Sequence, residues 1–229
     1  MNQLFIILSV ILVIGVIVYL FVHYRSEAVV LRTLKRLPYQ RLGSLRTNAF
    51  SKIEGKALNI EEPLIAPYSK RKCVFYQILI EQRVQRGKHS YWKTIVDQEK
   101  IQDFFIEQKG ERCVVLPVTN PRNFIAYLNT DRTKKSGVFN DPTPEFESLL
   151  RSFNIETKGL LGFNKRLRYK EAIVEVGERI TIAGKVKWMD LENNMADYAY
   201  SSIASLYGGE GKDKLIITDS TKAFDELKR

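Results

Sequence analysis

The sequence has 229 residues, with 36 Lys+Arg against 26 Asp+Glu for a formal charge of +10, and 45% hydrophobic and 11% aromatic side chains. These values exclude a disordered tail and a low-complexity or collagen-like polymer. Two Cys and two His exclude a disulfide scaffold and show no zinc-module spacing.

The apolar content is uneven. Leu4–Val22 is a 19-residue run with 17 hydrophobic residues and no charge. At about 1.5 Å of rise per residue it would span roughly 29 Å, the thickness of a bilayer core. A cleaved signal peptide fits less well, because Met1-Asn2-Gln3 carries no Lys or Arg and no A-x-A site follows the run. Between Arg25 and Arg46 lie six basic residues opposed only by Glu27. The positive-inside rule then puts the N-terminus outside and the rest in the cytoplasm. The expected organisation is a transmembrane anchor over 1–25, a basic juxtamembrane segment over 26–48 and one β-rich cytoplasmic domain over 49–229.

In the juxtamembrane segment, Val29, Val30, Leu31 and Leu34 predict a short helix ending before Pro38. Its basic side chains either lie against anionic headgroups at about 1 kcal/mol each or belong to a solvated linker. Beyond it the texture is β. Strands are predicted over 52–59, 73–84, 90–97, 103–108 and 111–117, with a break at Gln98-Glu99-Lys100 and a turn at Lys109-Gly110. Residues 119–167 read as loop material except for a helix over 145–153 capped from Thr143. Strands return over 168–174, 180–187 and 214–218, with a turn at 175–178. Residues 195–206 read as helical, and Asp219-Ser220 caps a last helix through Lys228. The fold class is mainly β (α+β): an antiparallel, barrel-like domain with short helical insertions behind an N-terminal transmembrane helix.

Three stretches carry a resemblance. The first is Lys52-Ile53-Glu54-Gly55-Lys56-Ala57 followed by Glu62-Pro63-Leu64-Ile65-Ala66-Pro67-Tyr68-Ser69 and Cys73-Val74-Phe75-Tyr76. The second is Tyr91-Trp92-Lys93-Thr94 ahead of Phe104-Phe105. The third is Arg168-Tyr169-Lys170-Glu171 with Ile173, then Val176-Gly177-Glu178 and Ile182-Ala183-Gly184. Over about residues 50 to 187 this order resembles the GIDE domain, the membrane-adjacent domain of mitochondrial membrane-anchored RING-type ubiquitin ligases, which also occurs in bacteria and archaea. A RING needs eight Cys/His ligands, whereas this chain has His23, Cys73, His89 and Cys113. The resemblance therefore implies a prokaryotic-like member without ligase chemistry, and a membrane-associated partner, with LemA-like helical proteins as the family's suggestion.

The resemblance singles out Pro63, Leu64, Pro67, Ser69, Trp92, Arg168, Tyr169 and Glu171 as binding positions. Each has a plainer reading. The prolines would hold a rigid connection between strands, and Trp92 would be a core anchor. Arg168 with Glu171 would form an ion pair supporting the Gly177 turn. Gly177 and Gly184 read as positions of special backbone conformation and of tight packing. Cys73 and Cys113 read as inert buried thiols.

No catalytic motif, phosphate loop or metal spacing is visible, and no cofactor is called for. The favoured reading is a membrane-anchored, non-catalytic module that is held to the bilayer through Leu4–Val22 and either binds a protein partner or acts as a scaffold or sensor at the cytoplasmic membrane face. The alternatives are an enzyme built around Cys73 and His89, and a basic lipid- or nucleic-acid-binding barrel using clusters such as Lys70-Arg71-Lys72, Lys134-Lys135 and Lys165-Arg166-Arg168. Nucleic acid is the weakest partner, because half of the +10 surplus already lies between Arg25 and Arg46.

Overall fold

A computed structural model describes Ile14 and residues 26–137, 140–159, 162–190, 202–209, 211 and 213–224. The predicted span Leu4–Val22, apart from Ile14, lies outside the described residues. Among the described residues no helix is long and apolar enough to cross a membrane.

The chain is mainly β. In order it forms α1 (Ser26–Arg36), β1 (Phe50–Asn59), β2 (Leu64–Ile65), β3 (Lys72–Arg86), β4 (His89–Ile101), β5 (Phe104–Gln108), β6 (Glu111–Leu116), β7 (Phe124–Tyr127) and β8 (Arg132–Lys135). Then follow α2 (Pro144–Ser152), β9 (Leu167–Glu175), β10 (Arg179–Asp190), β11 (Ser202–Tyr207) and β12 (Leu215–Thr218).

Five strands close on themselves. β1 pairs β5, β5 pairs β6, β6 pairs β11, β11 pairs β10, and β10 returns to β1. This circuit is a closed five-stranded barrel whose strand order is that of a Greek-key barrel. Four of its contacts are antiparallel, and β6–β11 is parallel. β10 also pairs β12, which runs parallel with β7. The purely antiparallel barrel expected from the sequence is corrected at those two contacts. A parallel contact joins strands distant in sequence, so no local turn signal announces it.

The second sheet is built on β3, fifteen residues long. It pairs β4 on one edge and β9 on the other, β8 lies beyond β9, and β2 joins the Lys72–Cys73 end of β3. One face of this sheet meets the barrel. Val74, Phe75, Ala172 and Val174 share a core with Ile53, Phe104, Ile106, Phe124, Ile182 and Leu206. Phe75 and Phe124 touch edge to face with centroids 5.8 Å apart, a favoured aromatic geometry. The other face carries Tyr76, Ile78, Ile80, Leu167, Tyr169 and Ile173, and α2 covers it with Phe146, Leu149 and Leu150. α2 begins where expected, with Thr143 accepting from the Phe146 amide and Pro144 at the first helical position.

Three further expectations are corrected. Gln98-Glu99-Lys100 does not break the chain, and β4 runs unbroken for thirteen residues. As an edge strand facing solvent it accommodates polar residues, and Glu99 is held there by Gln77 and Arg122. Residues 202–206 are strand rather than helix, because β11 is captured between β10 and β6. Among the described residues after Asp219, only the turn Thr221–Ala223 is helical. The remainder of the last two predicted helices lies outside the described residues.

α1 does not stand free. Val30 and Leu34 are each 1% exposed and pack on Ala183 of β10, Ile216 of β12 and the partly buried Ile125 and Tyr127 of β7. Lys222 pairs with Glu27 at 2.9 Å across the same contact. Lys35 and Arg36 point to solvent from the opposite face. Neither reading of the juxtamembrane segment anticipated that its apolar face is docked.

Candidate functional site

The eight candidate residues fall into two groups, not one. The first surrounds the proline loop. Pro63 and Pro67 bracket β2, and the loop closes on itself through Ala66 N to Arg71 O at 3.0 Å and Lys70 N to Ala66 O at 3.1 Å. Glu171, fully buried on β9, holds it from below. Its Oε2 accepts from the Tyr68 amide at 2.9 Å and its Oε1 from the Ser69 amide at 3.2 Å. The Tyr169 hydroxyl donates to the same Oε2 at 2.8 Å.

Tyr169 is itself fully buried between Tyr68 and Phe146, with ring centroids 5.6 and 6.2 Å away. Burial first, then the bond to Glu171, push its phenol far above the usual range. The phenol is therefore a fixed donor. The loop is thus tied to the sheet by a carboxylate that receives two amides and a hydroxyl, and charge-assisted bonds of this kind are about twice as strong as neutral ones. What it offers outward is Ile65, 50% exposed.

The second group lies farther along the sheet. Arg168 pairs with Glu81 at 2.6 Å and stacks its guanidinium 4.3 Å from the Trp92 ring centre. Lys170 reaches the same Glu81 oxygen at 3.6 Å. Trp92 is half-buried with Arg168 over it, so it is neither a core anchor nor an open platform. The expected Arg168–Glu171 pair does not form. The two residues are three apart on a strand, so their side chains leave opposite faces of the sheet.

Two other parts of the network had no sequence signal. Arg71 bridges Asp131 at 3.0 Å and Glu175 at 2.9 Å, and Asp131 accepts from the Ile173 amide at 2.9 Å. This network sits beside the Gly177 turn, where φ is +90° as glycine allows. The close packing expected at Gly184 is also present. An added Cβ there would meet Leu215 Cδ1 at 2.8 Å and Tyr207 O at 3.0 Å.

Cys73 is fully buried, and its thiol donates to Leu64 O at 3.6 Å. Burial, and then the charge of Glu171, push its pKa up to about 12; burial does the same for Cys113. A thiol held protonated is a poor nucleophile. His89 pairs with Arg86, thirteen residues along β3 from Cys73, or roughly 40 Å at about 3.3 Å per residue. The pairing imagined for an active site around Cys73 and His89 does not exist.

The barrel face where OB domains hold single strands also differs from a nucleic-acid platform. Outward-facing positions on β5 and β6 carry Phe105 and Val114, both buried, and Glu107 paired with Arg112 at 3.6 Å. A cationic stripe with open aromatic faces is what such binding needs.

The turn after β9 holds a pH-sensitive element. Glu178 Oε2 accepts from the Glu175 amide at 2.8 Å, and Asp219 accepts from the Asn129 amide at 2.9 Å. Desolvation, reinforced by neighbouring carboxylates, raises Glu178 to about 7 and Asp219 to about 6. Acids whose folded pKa is raised keep protons that the unfolded chain has lost. Their stabilisation is complete below the unfolded pKa and falls as pH rises, here between about 4 and 7. Glu178→Gln removes the larger share. Its stability relative to wild type should be near zero at pH 4.5 and rise to about 2 kcal/mol by pH 7.5, after discounting for partial exposure. Denaturant unfolding at a series of pH values reads this, and a pH-independent difference would rule it out.

No protein-family model, no curated protein and no solved structure matches the chain.

Proposed function

We propose that this chain is a membrane-anchored, non-catalytic module that binds a membrane-associated protein partner, with the loop 63–69 as its docking element. The observation that supports it is the loop itself. It is held rigid by two prolines and by Glu171 from beneath, and it turns Ile65 toward solvent. A loop ordered before binding loses less conformational entropy on association. An apolar tip on a rigid base is the form of an interface anchor.

The resemblance to GIDE domains agrees with this reading, as does the run Leu4–Val22. Together they propose a single-pass protein with its β domain on the cytoplasmic face, and a LemA-like helical protein among the candidate partners.

The test compares two positions of equal exposure. Ile65 and Tyr91 are each 50% exposed, so a photo-crosslinking amino acid at 65 or at 91 reports specificity rather than accessibility. In native membranes, position 65 should give one discrete protein adduct that position 91 does not. Ile65→Asp, with the crosslinker at an adjacent loop position, should cut that adduct at least tenfold. Equal labelling from both positions, or no effect of Ile65→Asp, would refute the docking role.

A further inference from the structure

A second site lies far from the proline loop, roughly 30 Å away at about 3.3 Å per residue along β3. A cleft of about 320 Å³ opens where the β3–β4 hairpin leaves the sheet. Its walls are the hairpin, with Gln82, Arg83, Gln85 and Ser90, and the segment 164–166 that leads into β9. We infer that this cleft binds the phosphate group of a small phosphate ester.

The charge is one-sided. Arg83, Lys165 and Arg166 line the cleft, and among the described residues no carboxylate does. Arg83 spends its Nε and Nη2 donors on the neutral Ser90 hydroxyl, at 3.1 and 2.8 Å, so its charge is oriented but not neutralised. Arg166 is exposed. Lys165 has only a loose contact with Glu156, at 3.8 Å, and that carboxylate is 87% exposed. Asp141 accepts from Asn164 at the rim, and Glu81 is taken up by Arg168 and Lys170.

The walls are fixed. The Arg83 amide donates to Arg166 O at 2.8 Å, joining hairpin to segment. The Ser136 hydroxyl donates to Lys165 O at 3.0 Å, and the Ser136 amide to Leu167 O at 3.0 Å. Among the described residues Arg83 and Arg166 have no carboxylate partner and Lys165 has only the loose Glu156 contact, so the three cations repel one another and an anion between them relieves that repulsion. Two arginine forks and an ammonium match a phosphate group's oxygens. The volume is at the small end of ligand sites, enough for a phosphate with a small substituent. The source is either a free phosphate ester or a phospholipid headgroup.

The full chain in neutral detergent is titrated at low salt with inorganic phosphate, with glycerol phosphate and with short-chain phosphatidic acid. Saturable binding of at least one probe is expected. Saturation by the soluble phosphates points to a free ester, and saturation by the lipid alone to a headgroup. Arg83→Gln/Arg166→Gln should weaken binding at least tenfold. Lys56→Gln/Lys109→Gln, the same charge change at exposed positions on the barrel, should leave it within twofold. Arg166→Gln alone removes an exposed side chain and preserves the fold, so it should still lose at least threefold. Absence of saturable binding, or equal losses from the cleft and control variants, would overturn the inference. Neither result bears on the docking loop.

Discussion

Glu171→Ala is expected to lower the stability of the folded chain by about 3–5 kcal/mol, since each buried donor left without a partner costs about 1–3 kcal/mol. Three donors lose their acceptor at once: the Tyr68 amide, the Ser69 amide and the Tyr169 hydroxyl. The Tyr169 hydroxyl cannot turn to water without opening the loop, because Tyr169 is fully buried beneath it, and the two amides are part-buried. Glu171→Gln should lose less, about 1–2 kcal/mol, because its amide oxygen still accepts while its NH₂ confronts a donor. Urea unfolding of the full chain in neutral detergent, followed by tryptophan fluorescence, measures both. A loss below about 1 kcal/mol for Glu171→Ala would show that the loop is held by its prolines alone. Losing the anchor should also weaken the partner adduct proposed for position 65, because the rigid presentation of Ile65 depends on it.

The second large effect concerns α1. Leu34 is 1% exposed and sits among Ala183, Ile216 and Ala223. Leu34→Ala should cost about 3 kcal/mol through lost burial and the cavity left behind. Leu34→Asp would place an uncompensated charge in that contact and should release the helix. The exposed Lys35 and Arg36 then become trypsin sites on an undocked helix. Cleavage at 35 and 36 should accelerate at least tenfold while the β domain stays resistant. An unchanged cleavage rate would mean that α1 is not held to the barrel in solution.

Much of the fold was legible because the strands that carry it advertise themselves. β3 is rich in β-branched and aromatic residues, and β10 alternates Ile180, Ile182 and Val186 toward the core. Thr143-Pro144 marks a helix start by its own chemistry. What escaped was decided by neighbours. Residues 202–207, Ser-Ile-Ala-Ser-Leu-Tyr, have no strong preference of their own and become strand only because β10 and β6 flank them. Short strands within 119–167, β7 and β8, are likewise recruited by β12 and β9.

The site was half legible. The proline loop, Tyr169 and Glu171 do converge, but Arg168 belongs elsewhere, and the two-residue period of a strand already forbids it from facing the way Glu171 faces. Glu81 and Asp131 had no signal, since a lone acid in a strand or loop does not reveal the arginine it will meet.

The closure of the barrel has a consequence for how the protein is made. Phe50 is paired with Lys185 and Cys73 with Glu175. The partners of the first long strands are therefore among the last to leave the ribosome. Until β9 and β10 emerge, β1 and β3 present unpaired edges, and the loops that must close run from 85 residues (Gln82 to Leu167) to 135 (Phe50 to Lys185). Such distant pairing makes folding slow and the waiting intermediate prone to association with other chains. A chain whose synthesis stops before Arg179 can complete neither the barrel nor its seam with β10. Folding is effectively post-translational.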